Sequence, residues 1–357
     1  MFVSLAEKYE EKDRPLLVLG SGGFYAGAGE AVRTFLEATD IPIVVPIWDR
    51  GVVARGTPQW LGVIGAASGG PQLLADTDLL IVVGARTDYR IGYAQPPGIS
   101  ASARVIHVDA SAAELALGSP ADLNILGDPA SVLLAWTAEW SARQSRPHSD
   151  WRPEAQERDI AFRARWQTLP AAGSEMTGHD IVEALRPCLT DETVFLVDAG
   201  NIGQWAHMCL ADGYPANWLT CGASGVVGWG LGGAMGARLA YPDRPIILLS
   251  GDGAIGFTLT EFESATRQGL PFVVVLADDQ AWGIVACSQR KQGPEAVIAS
   301  RMMPVRYDRV AEGLGAVGIR AERPEEIGPA VQRALDAGCP ALVHVPIVPL
   351  GPEEVSL

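Results

Sequence analysis

Basic residues are scarce in this chain of 357 residues: Lys and Arg total 27 against 42 Asp and Glu, which gives a formal net charge of -15 at pH 7. Nucleic acids and anionic membrane surfaces would repel such a chain at long range, because like charges oppose approach. We therefore expect neither a nucleic acid nor a membrane among the partners of this protein.

Paired cysteines and long apolar runs are also lacking. No CxxC pair occurs among the five cysteines, which predicts reduced thiols and no zinc site. No apolar run reaches the ~18 residues that a membrane span requires. The first letters, MFVSLAEKYEEKDRP, lack the basic-then-apolar order of a signal peptide. These absences predict a cytoplasmic protein.

What the sequence does contain is a repeated alternation of short apolar runs and helical stretches. The apolar runs between residues 14 and 142 are PLLVLG, IPIVVPI, DLLIVVGA and RVIHVD. The helical stretch GEAVRTFLEAT follows the first of these runs, and the helical stretch SVLLAWTAEWSA closes the region. Continuous apolar strands between helices indicate a parallel sheet covered on both faces. We predict a doubly wound α/β domain over residues 1–142.

A charged stretch, RQSRPHSDWRPEAQERD, follows this region and contains two prolines. We interpret residues 143–175 as an interdomain linker, because few core contacts could form there. The alternation then resumes through TVFLVDAG, PIILLSGD and PFVVVLADD to ALVHVPI. A second doubly wound, parallel-sheet α/β domain is therefore predicted over residues 176–357.

Two strand ends of the second predicted domain carry acids. PIILLSGD delivers Asp252, and PFVVVLADD delivers Asp278 and Asp279. One right-handed crossover joins these strands, so they are parallel and their carboxyl ends lie at the same edge of the sheet. Ligands bind at that edge in open parallel sheets. The acids can therefore converge on one ligand.

The glycines of GDGAIG, residues 251–256, fit the G-x-G-x-x-G of a dinucleotide-binding turn, so a NAD site is one interpretation. Asp252 disfavours it, since a carboxylate there repels a pyrophosphate unless a divalent cation lies between them. Thr258 with Glu261 has capping-box spacing, which predicts a helix that begins after the last glycine. The residues favour a diphosphate held through Mg²⁺ and leave NAD as the alternative.

The same stretch resembles the thiamin-diphosphate motif, in which a metal ligand at the end of the next strand follows GDG. GDGAIGFTLTEFESATRQGLPFVVVLADDQAWG is similar to the acetohydroxyacid synthase, benzaldehyde lyase and 2-hydroxyacyl-CoA lyase group. GASGVVGWGLGGAMGARLAYPDRPIILLSGDG is similar to that family's glycine-rich approach to the diphosphate, and VDAGNIGQWA to its phosphate loop. RPLLVLGSGG through VIHVDASAAE resembles its central domain. The resemblance implies a central Rossmann-like domain followed by a thiamin-diphosphate-binding domain.

The resemblance also implies roles for individual residues. The ligands of Mg²⁺ would be the side chains of Asp252 and Asp279 and the backbone carbonyl of Ala281. The diphosphate would contact Gly200, Asn201, Gly251 and Gly253. Gly225 would present its carbonyl to the aminopyrimidine, Val227 would hold the cofactor bent, and Ile284 would line the pocket with Trp282, Val285 and Ser288.

Four positions depart from the family's pattern. Asp278 and Asp279 stand where the family has an Asn pair, so a second carboxylate attracts Mg²⁺ but repels the diphosphate. For Asp278, a role in the site and a solvent-facing strand end are both open. Val227 is smaller than the usual Met, Leu or Ile. Ser288 replaces the tryptophan with which acetohydroxyacid synthases choose their substrate, which disfavours that particular activity.

The family's activating glutamate has no counterpart in this sequence. Members begin with a pyrimidine-binding domain whose glutamate protonates the cofactor ring, whereas these 357 residues open with the central domain and supply no catalytic residue of that kind. In the family the active site lies between the diphosphate domain of one chain and the pyrimidine domain of another. We therefore expect a separate pyrimidine-binding subunit, in a heterotetramer or a larger assembly.

The glycine-rich LGSGGFYAGAGEA near the N-terminus could cradle a nucleotide phosphate. The family's central domain binds FAD or ADP in some members and nothing in others, and Arg86, Asp88, Arg90 and Asp109 lie where FAD contacts would fall. The family's flavin-associated GMHG reads GVIGAASG here. This difference favours a structural glycine turn and leaves a FAD site as the alternative.

Together these observations predict a subunit of a two-component thiamin-diphosphate-dependent carboligase or lyase. It would act on a 2-oxo acid or an acyloin, with Mg²⁺ as the metal and a partner chain supplying the glutamate. The alternatives are a non-catalytic cofactor-binding regulator that kept the fold, and a NAD-dependent oxidoreductase. We interpret His207 as a packed helix residue and both His107 and His344 as core residues.

Overall fold

The computed structural model describes residues 12–65, 71–142, 150–167, 175–210 and 212–354. The chain divides into two compact units. Unit 1 contains the chain up to Gln167 together with residues 211–216, and unit 2 contains the remainder. No helix in these described ranges is both long enough and apolar enough to cross a membrane.

Unit 1 is built on a sheet of six parallel strands. Its strands are β1 (Pro15–Leu19), β2 (Ile43–Pro46), β3 (Trp60–Ile64), β4 (Leu79–Val83), β5 (Arg104–Asp109) and β6 (Leu123–Leu126). Its helices are α1 (Ser21–Tyr25), α2 (Gly29–Thr39), α3 (Ala112–Leu117), α4 (Pro129–Ala142) and α5 (Trp151–Gln167). The strand order is β3-β2-β1-β4-β5-β6 and every pair is parallel, as the sequence predicts.

The prediction of a linker over residues 143–175 was wrong for α5. Trp151 and Ala155 are 3% and 0% exposed in the core of unit 1, and Trp151 Nε1 donates to the carbonyl of Pro15 at 2.8 Å. The many charged residues elsewhere on this helix, such as Arg152 and Arg158, which form ion pairs, concealed its apolar face in the sequence. Residues 143–149 and 168–174 of the predicted linker lie outside the described residues.

Unit 2 is built on a second sheet of six parallel strands. Its strands are β7 (Val194–Val197), β8 (Trp218–Thr220), β9 (Ile246–Gly251), β10 (Val273–Asp278), β11 (Val317–Arg320) and β12 (Ala341–Pro346). Its helices are α6 (Gly178–Leu185), α7 (Gly200–Cys209), α8 (Gly230–Ala240), α9 (Asp252–Ile255), α10 (Glu261–Gln268), α11 (Gly283–Arg290), α12 (Tyr307–Gly313) and α13 (Pro324–Asp336). The strand order is β11-β12-β10-β9-β7-β8.

The core of unit 2 fixes the three central strands that end at the candidate site. Leu196 of β7, Leu248 of β9 and Leu276 of β10 are each 0% exposed and belong to one apolar cluster with Leu231 of α8 and Phe262 of α10. Fully burying a side chain of this size stabilises the fold by about 1.5–3 kcal/mol. The ends of these strands are therefore held on a rigid support.

Five short 3₁₀ helices complete the described secondary structure, at Leu74–Asp76, Tyr89–Ala94, Arg186–Cys188, Pro294–Ala296 and Pro352–Glu354. All five cysteines are free thiols; Cys287 is buried, whereas the other four are partly exposed.

Candidate functional site

Four acidic residues lie at the carboxyl ends of three neighbouring strands in unit 2. Asp198 follows β7, Asp252 follows β9, and Asp278 and Asp279 end and follow β10, while β9 pairs in parallel with both β7 and β10. Their exposed fractions are 1%, 2%, 3% and 7%, respectively. Carboxylates this deeply buried need hydrogen-bond donors or a cation. The acidic residues thus lie together at the carboxyl edge of the sheet, where the sequence predicts them.

Asp252 has one carboxylate oxygen without a donor. Its Oδ1 accepts a hydrogen bond from the backbone N–H of Gly253 at 2.9 Å, whereas the buried Oδ2 has no hydrogen-bond partner among the described residues. Burial raises the pKa of Asp252, and the negative charges of Asp279 and Asp278 raise it further. A cation bound at Oδ2 would offset both causes of the raised pKa, namely the burial of this carboxylate and its repulsion by the neighbouring carboxylates.

The chain after β9 becomes helical earlier than predicted. α9 begins at Asp252 itself, and α10 begins at Glu261 after an intervening turn. Thr260 precedes α10 in a helical conformation and its side chain makes no capping hydrogen bond. The prediction of a helix start after Gly256 is therefore correct for α10, but it missed α9, whose first turn follows directly from the strand.

Asp279 is held by donors from two segments. Its Oδ1 accepts from the N–H of Ala281 at 3.1 Å, and its Oδ2 lies 3.4 Å from the amide Nδ2 of Asn201. Burial raises the pKa of Asp279 in spite of these donors. Residues 279–281, hereafter the metal loop, are tied to the following chain by a hydrogen bond from Met302 N–H to Gln280 O at 2.7 Å.

Asp278 is buried and does not face solvent. Of the two alternatives left open for it, the solvent-facing strand end is therefore wrong. Its Oδ2 lies 2.9 Å from His344 Nε2, and both side chains are buried. His344 is 0% exposed, as expected of a core residue, but its contacts are polar, since Nδ1 lies 3.2 Å from Asp308 Oδ1. Nothing in the sequence pattern around His344 and Asp308 signalled this arrangement.

The chain after β7 turns sharply where the resemblance implies a phosphate loop. Ala199 and Gly200 have φ angles of 51° and 76°, and α7 starts at Gly200. A Cβ built on Gly200 would meet no atom within 4 Å, so the space in front of this turn is open. Asn201 is 7% exposed and its amide donates to Leu350 O at 3.1 Å as well as pointing to Asp279.

Residues 221–229 form a loop that Asp198 anchors. Asp198 accepts hydrogen bonds from Gly228 N–H and Ser250 Oγ, both at 3.0 Å, while burial raises its pKa to about 6. Gly225 lies on this loop with a φ of 63°, and Val227 is partly buried beside the anchored residue. Sequence reasoning missed Asp198, although its position directly after an apolar strand was the available signal.

Gly283 packs directly against Asp279 of the metal loop, and Gly253 lies beside Trp282, the residue that follows this loop. A Cβ on Gly283 would lie 2.5 Å from Asp279 Oδ2 and 2.7 Å from Asn201 Cβ, so only glycine permits this close approach. A Cβ on Gly253 would lie 3.1 Å from the ring of Trp282. Gly251 and Ile284 are partly exposed at the end of β9 and in the first turn of α11. Gly283 is a further site residue that the sequence analysis did not name.

The donor set fits Mg²⁺ bound together with a diphosphate. No cluster of three or more His, Cys, Asp or Glu side chains with metal-binding geometry occurs within the described ranges, so the chain does not form a complete metal cage there. Asp252, Asp279 and the Ala281 carbonyl offer hard oxygen ligands, and Mg²⁺ typically combines one or two carboxylates with phosphate oxygens and water. The donor-free oxygen of Asp252 and the open space before Gly200 are consistent with such a group.

The glycine turn of unit 1 has a structural explanation. A Cβ on Gly22 would lie 2.6 Å from Cα of Gly84, so these glycines allow α1 to pack directly on the end of β4. Arg90 is 2% exposed and its guanidinium contacts Asp49, Asp88 and the carbonyl of Ile47. Gly22 and Arg90 thus both have partners within unit 1, and a FAD site stays the alternative to a structural turn. Residues 66–70 of the GVIGAASG stretch lie outside the described residues.

The other residues expected near a flavin also have partners within unit 1. Arg86 forms a bidentate pair with Glu114, at 2.9 and 2.8 Å, and Asp109 accepts a hydrogen bond from Ser111 N–H at 2.7 Å. His107 is 0% exposed and contacts the carbonyl of Ala85 at 3.0 Å, in agreement with its interpretation as a core residue.

Comparison with known protein families gives two matches along the chain. Residues 4–135 match the central domain of the thiamine pyrophosphate enzymes. Residues 198–345 match the C-terminal TPP binding domain of the thiamine pyrophosphate enzymes. The two matches follow the order of domains that the sequence resemblance implies, and the second contains Asp198, Asp252 and the metal loop.

Three curated relatives share this region. The chain is 28% identical to the acetolactate synthase isozyme 1 large subunit of Escherichia coli (strain K12), over 94% of this chain and 58% of the relative. It is 27% identical to the acetolactate synthase large subunit of Parasynechococcus marenigrum (strain WH8102), over 98% of this chain and 58% of the relative. It is also 27% identical to the acetolactate synthase large subunit of Corynebacterium glutamicum, over 91% of this chain and 53% of the relative. The chain thus spans 53–58% of the length of these relatives.

Proposed function

Because the chain belongs to the thiamin-diphosphate-dependent enzymes, of which it carries the central and the C-terminal domains, we propose that it is the cofactor-binding subunit of a two-component carboligase or lyase. Its substrate is a 2-oxo acid or an acyloin, in which a carbon–carbon bond is formed or broken. The similarity to acetolactate synthases supports this class of reaction. Ser288 in place of the family's tryptophan argues against acetolactate formation as the particular reaction.

The observation that carries the proposal is the buried, donor-free Oδ2 of Asp252 beside Asp279. In the proposed site, Asp252, Asp279 and the carbonyl of Ala281 bind Mg²⁺, which also binds the diphosphate. The repulsion between the two carboxylates, which raises the pKa of Asp252, is relieved when the cation is present. Metal and cofactor binding are therefore coupled to ionisation of this pair.

The remaining implied residues bind and orient the cofactor. The diphosphate would lie against the open turn at Gly200 and Asn201 and close to Gly251 and Gly253, where the absence of side chains lets a ligand approach the backbone. The loop anchored by Asp198 presents the Gly225 carbonyl to the aminopyrimidine and the Val227 side chain to the bend of the cofactor. Ile284 covers the same pocket from α11. When bound, thiamin diphosphate supplies the carbon nucleophile that attacks the substrate carbonyl.

We assign the activating glutamate to a separate pyrimidine-binding chain, so that the active enzyme is a cytoplasmic hetero-oligomer. The names of the three relatives, which describe large subunits, support assembly with a further chain. The two matched domains are the central and cofactor-binding ones, and the resemblance implies that the family's glutamate belongs to neither. No residue of this chain is proposed to protonate the cofactor ring.

Affinity purification of the tagged chain from its native cell, followed by mass spectrometry, tests the partner. We expect a second α/β chain on the order of 150 residues, whose addition gives turnover of 2-oxo acids with thiamin diphosphate and Mg²⁺. Recovery of this chain alone, with cofactor binding but no turnover, would favour a non-catalytic cofactor-binding regulator. Failure of the purified chain to bind thiamin diphosphate with Mg²⁺ would overturn the site itself.

A further inference from the structure

A series of buried polar contacts runs from Asp278, which directly precedes the metal loop, through β12 to α12 in unit 2. His344 in β12 pairs in register with Leu276 of the neighbouring β10, two residues before Asp278. Its Nε2 lies 2.9 Å from Asp278 Oδ2 and its Nδ1 lies 3.2 Å from Asp308 Oδ1 in α12. Exposed fractions are 0% for His344, 3% for Asp278 and 4% for Asp308. Groups buried to this extent keep their geometry, because losing a partner is costly.

The imidazole of His344 is held from several sides. The ring of Tyr307 packs against it edge-on, with 5.6 Å between the ring centroids. Arg320 lies 3.2 Å from Nδ1, and Arg306 donates to both oxygens of Asp308 at 2.9 and 2.6 Å. The His344 ring therefore cannot turn away from Asp278 without breaking contacts on its opposite edge.

Asp278 would otherwise be a third carboxylate at the metal site. It directly precedes Asp279 in the chain, and its Oδ1 accepts a hydrogen bond from the N–H of Gln280, within the metal loop, at 3.2 Å. In agreement with this position, its charge contributes to the raised pKa of Asp252. Mg²⁺ prefers a strict octahedron with few carboxylates and retains water or phosphate ligands, whereas Ca²⁺ accepts 6–8 oxygen ligands in flexible geometry. A third mobile carboxylate would therefore favour Ca²⁺ and repel the diphosphate.

We propose that His344 is a positioning residue that holds the Asp278 carboxylate away from the metal ion. The chain then offers only Asp252, Asp279 and the Ala281 carbonyl, which suits Mg²⁺ with a diphosphate. This explains how a chain with two aspartates in place of the family's Asn pair retains a site for an anionic cofactor. The inference rests on the proposed Mg²⁺–diphosphate site and concerns which of the acids binds the cation.

The test compares cation binding by the wild-type full-length chain, His344→Phe, Asp278→Asn and the double variant. Calorimetric titration with Mg²⁺ alone, Ca²⁺ alone, and thiamin diphosphate in the presence of Mg²⁺ gives three affinities for each protein. We expect His344→Phe to raise the ratio of Ca²⁺ to Mg²⁺ affinity about tenfold and to weaken thiamin diphosphate binding about tenfold, as is typical of residues that orient metal ligands. The double variant should return both quantities toward the wild-type values, because the side chain released at position 278 then carries no charge.

A matched control separates this role from a general effect of replacing a buried histidine. His107 in β5 of unit 1 is also 0% exposed, and it contacts only the carbonyl of Ala85 among the hydrogen bonds described. His107→Phe should leave the ratio of Ca²⁺ to Mg²⁺ affinity unchanged. An equal change in His107→Phe, or no rescue by Asp278→Asn, would show that His344 acts only through stability and would overturn the proposal.

Asp278→Ala keeps the proposal testable if His344→Phe does not fold. Because Asp278 is not a ligand in this proposal, Asp278→Ala should bind Mg²⁺ with a Ca²⁺ to Mg²⁺ ratio close to that of the wild type. A large loss of Mg²⁺ binding would identify Asp278 as a ligand and refute the positioning role. If the wild-type protein bound neither cation nor thiamin diphosphate, the proposed function would fail, and this inference would fail with it. If the wild-type protein bound them normally and His344→Phe left the ratio of Ca²⁺ to Mg²⁺ affinity unchanged, only this inference would fail.

Discussion

The amide Nδ2 of Asn201 lies 3.4 Å from Asp279 Oδ2, although 78 positions separate the two residues in the chain. This contact connects the turn after β7 with the metal loop after β10, across the end of β9. The same amide donates to Leu350 O at 3.1 Å. One side chain thus orients a proposed metal ligand and would also contact the diphosphate.

Asn201→Ala should weaken binding of thiamin diphosphate with Mg²⁺ by about tenfold or more, since it removes a donor to Asp279 and, in the proposed site, a contact with the diphosphate. Asn217→Ala is the matched control. The amide of Asn217 donates to Thr193 O at 2.6 Å and Asp191 O at 3.0 Å, at the start of β8 and far along the chain from the metal loop. Equal loss of cofactor affinity in both variants, measured by calorimetry, would contradict the role of Asn201.

Gly200→Ala tests whether the open space at the turn after β7 belongs to the diphosphate. Gly200 has a φ of 76° and Gly269, at the end of α10, has a φ of 63°, and a Cβ on either would meet no atom within 4 Å. Alanine should therefore cost each site a similar ~1–2 kcal/mol of backbone strain. We expect both variants to be less stable in denaturant melts, but only Gly200→Ala to lose thiamin diphosphate binding. Normal binding by Gly200→Ala would remove this turn from the site.

The central strands could be predicted from the sequence because each is a continuous apolar run. β9 and β10 follow the predicted runs closely, and α2 has the predicted bounds, Gly29–Thr39. The strands β3, β6 and β11, which all lie at sheet edges, were missed. β6 and β11 are only partly buried, so polar residues interrupt their patterns, whereas β3 is fully buried but its apolar run is interrupted by Gly62. Edge position is a property of the fold and is not encoded in a short run of letters.

The candidate site was predictable only where its residues sit at the ends of such strands. Asp252 and Asp279 were identified in this way. The contacts of Asp278 with His344, 66 positions away, and of His344 with Asp308, 36 positions away, depend on how three elements pack. No local pattern indicates which side a strand-end carboxylate will face, and the sequence therefore left both alternatives open for Asp278.

Asp252→Asn should stabilise the metal-free chain while abolishing binding of Mg²⁺ and thiamin diphosphate. Burial and the charges of Asp279 and Asp278 raise the pKa of Asp252 above its ordinary value. The folded state then holds a proton that the unfolded state has lost above about pH 4, so stability falls as the pH rises through the raised pKa. An uncharged amide removes that cost, and we expect a gain on the order of a few kcal/mol at neutral pH.

Thermal melts in a metal chelator, at several pH values, check this prediction. Asp336→Asn serves as the control, since Asp336 is exposed at the end of α13. It should change neither the melting temperature nor cofactor binding. If Asp252→Asn were instead less stable than the wild type at neutral pH, Asp252 would be a structural residue, and the site would lose its central ligand.

His207 makes the stability of unit 2 sensitive to acid. Burial in α7 lowers the pKa of His207 to about 3. The unfolded chain takes up a proton at His207 near pH 6.5, whereas the folded chain does so only near pH 3. The stabilisation that the neutral His207 side chain contributes is therefore complete above about pH 6.5 and is lost as the pH falls toward about 3. Between about pH 7.5 and pH 5 the free energy of unfolding should fall by about 2 kcal/mol from this residue alone.

His207→Gln, which cannot take up a proton, should remove that part of the pH dependence. Urea melts of the wild type and the variant, followed through the unfolding transition of unit 2 at both pH values, measure the difference. The variant is expected to be less stable than the wild type at the higher pH, because it replaces a buried ring, yet to lose less stability on acidification. The same acid-induced loss in both proteins would mean that His207 is protonated in the folded chain, and would place it in a more polar environment than its 5% exposure indicates.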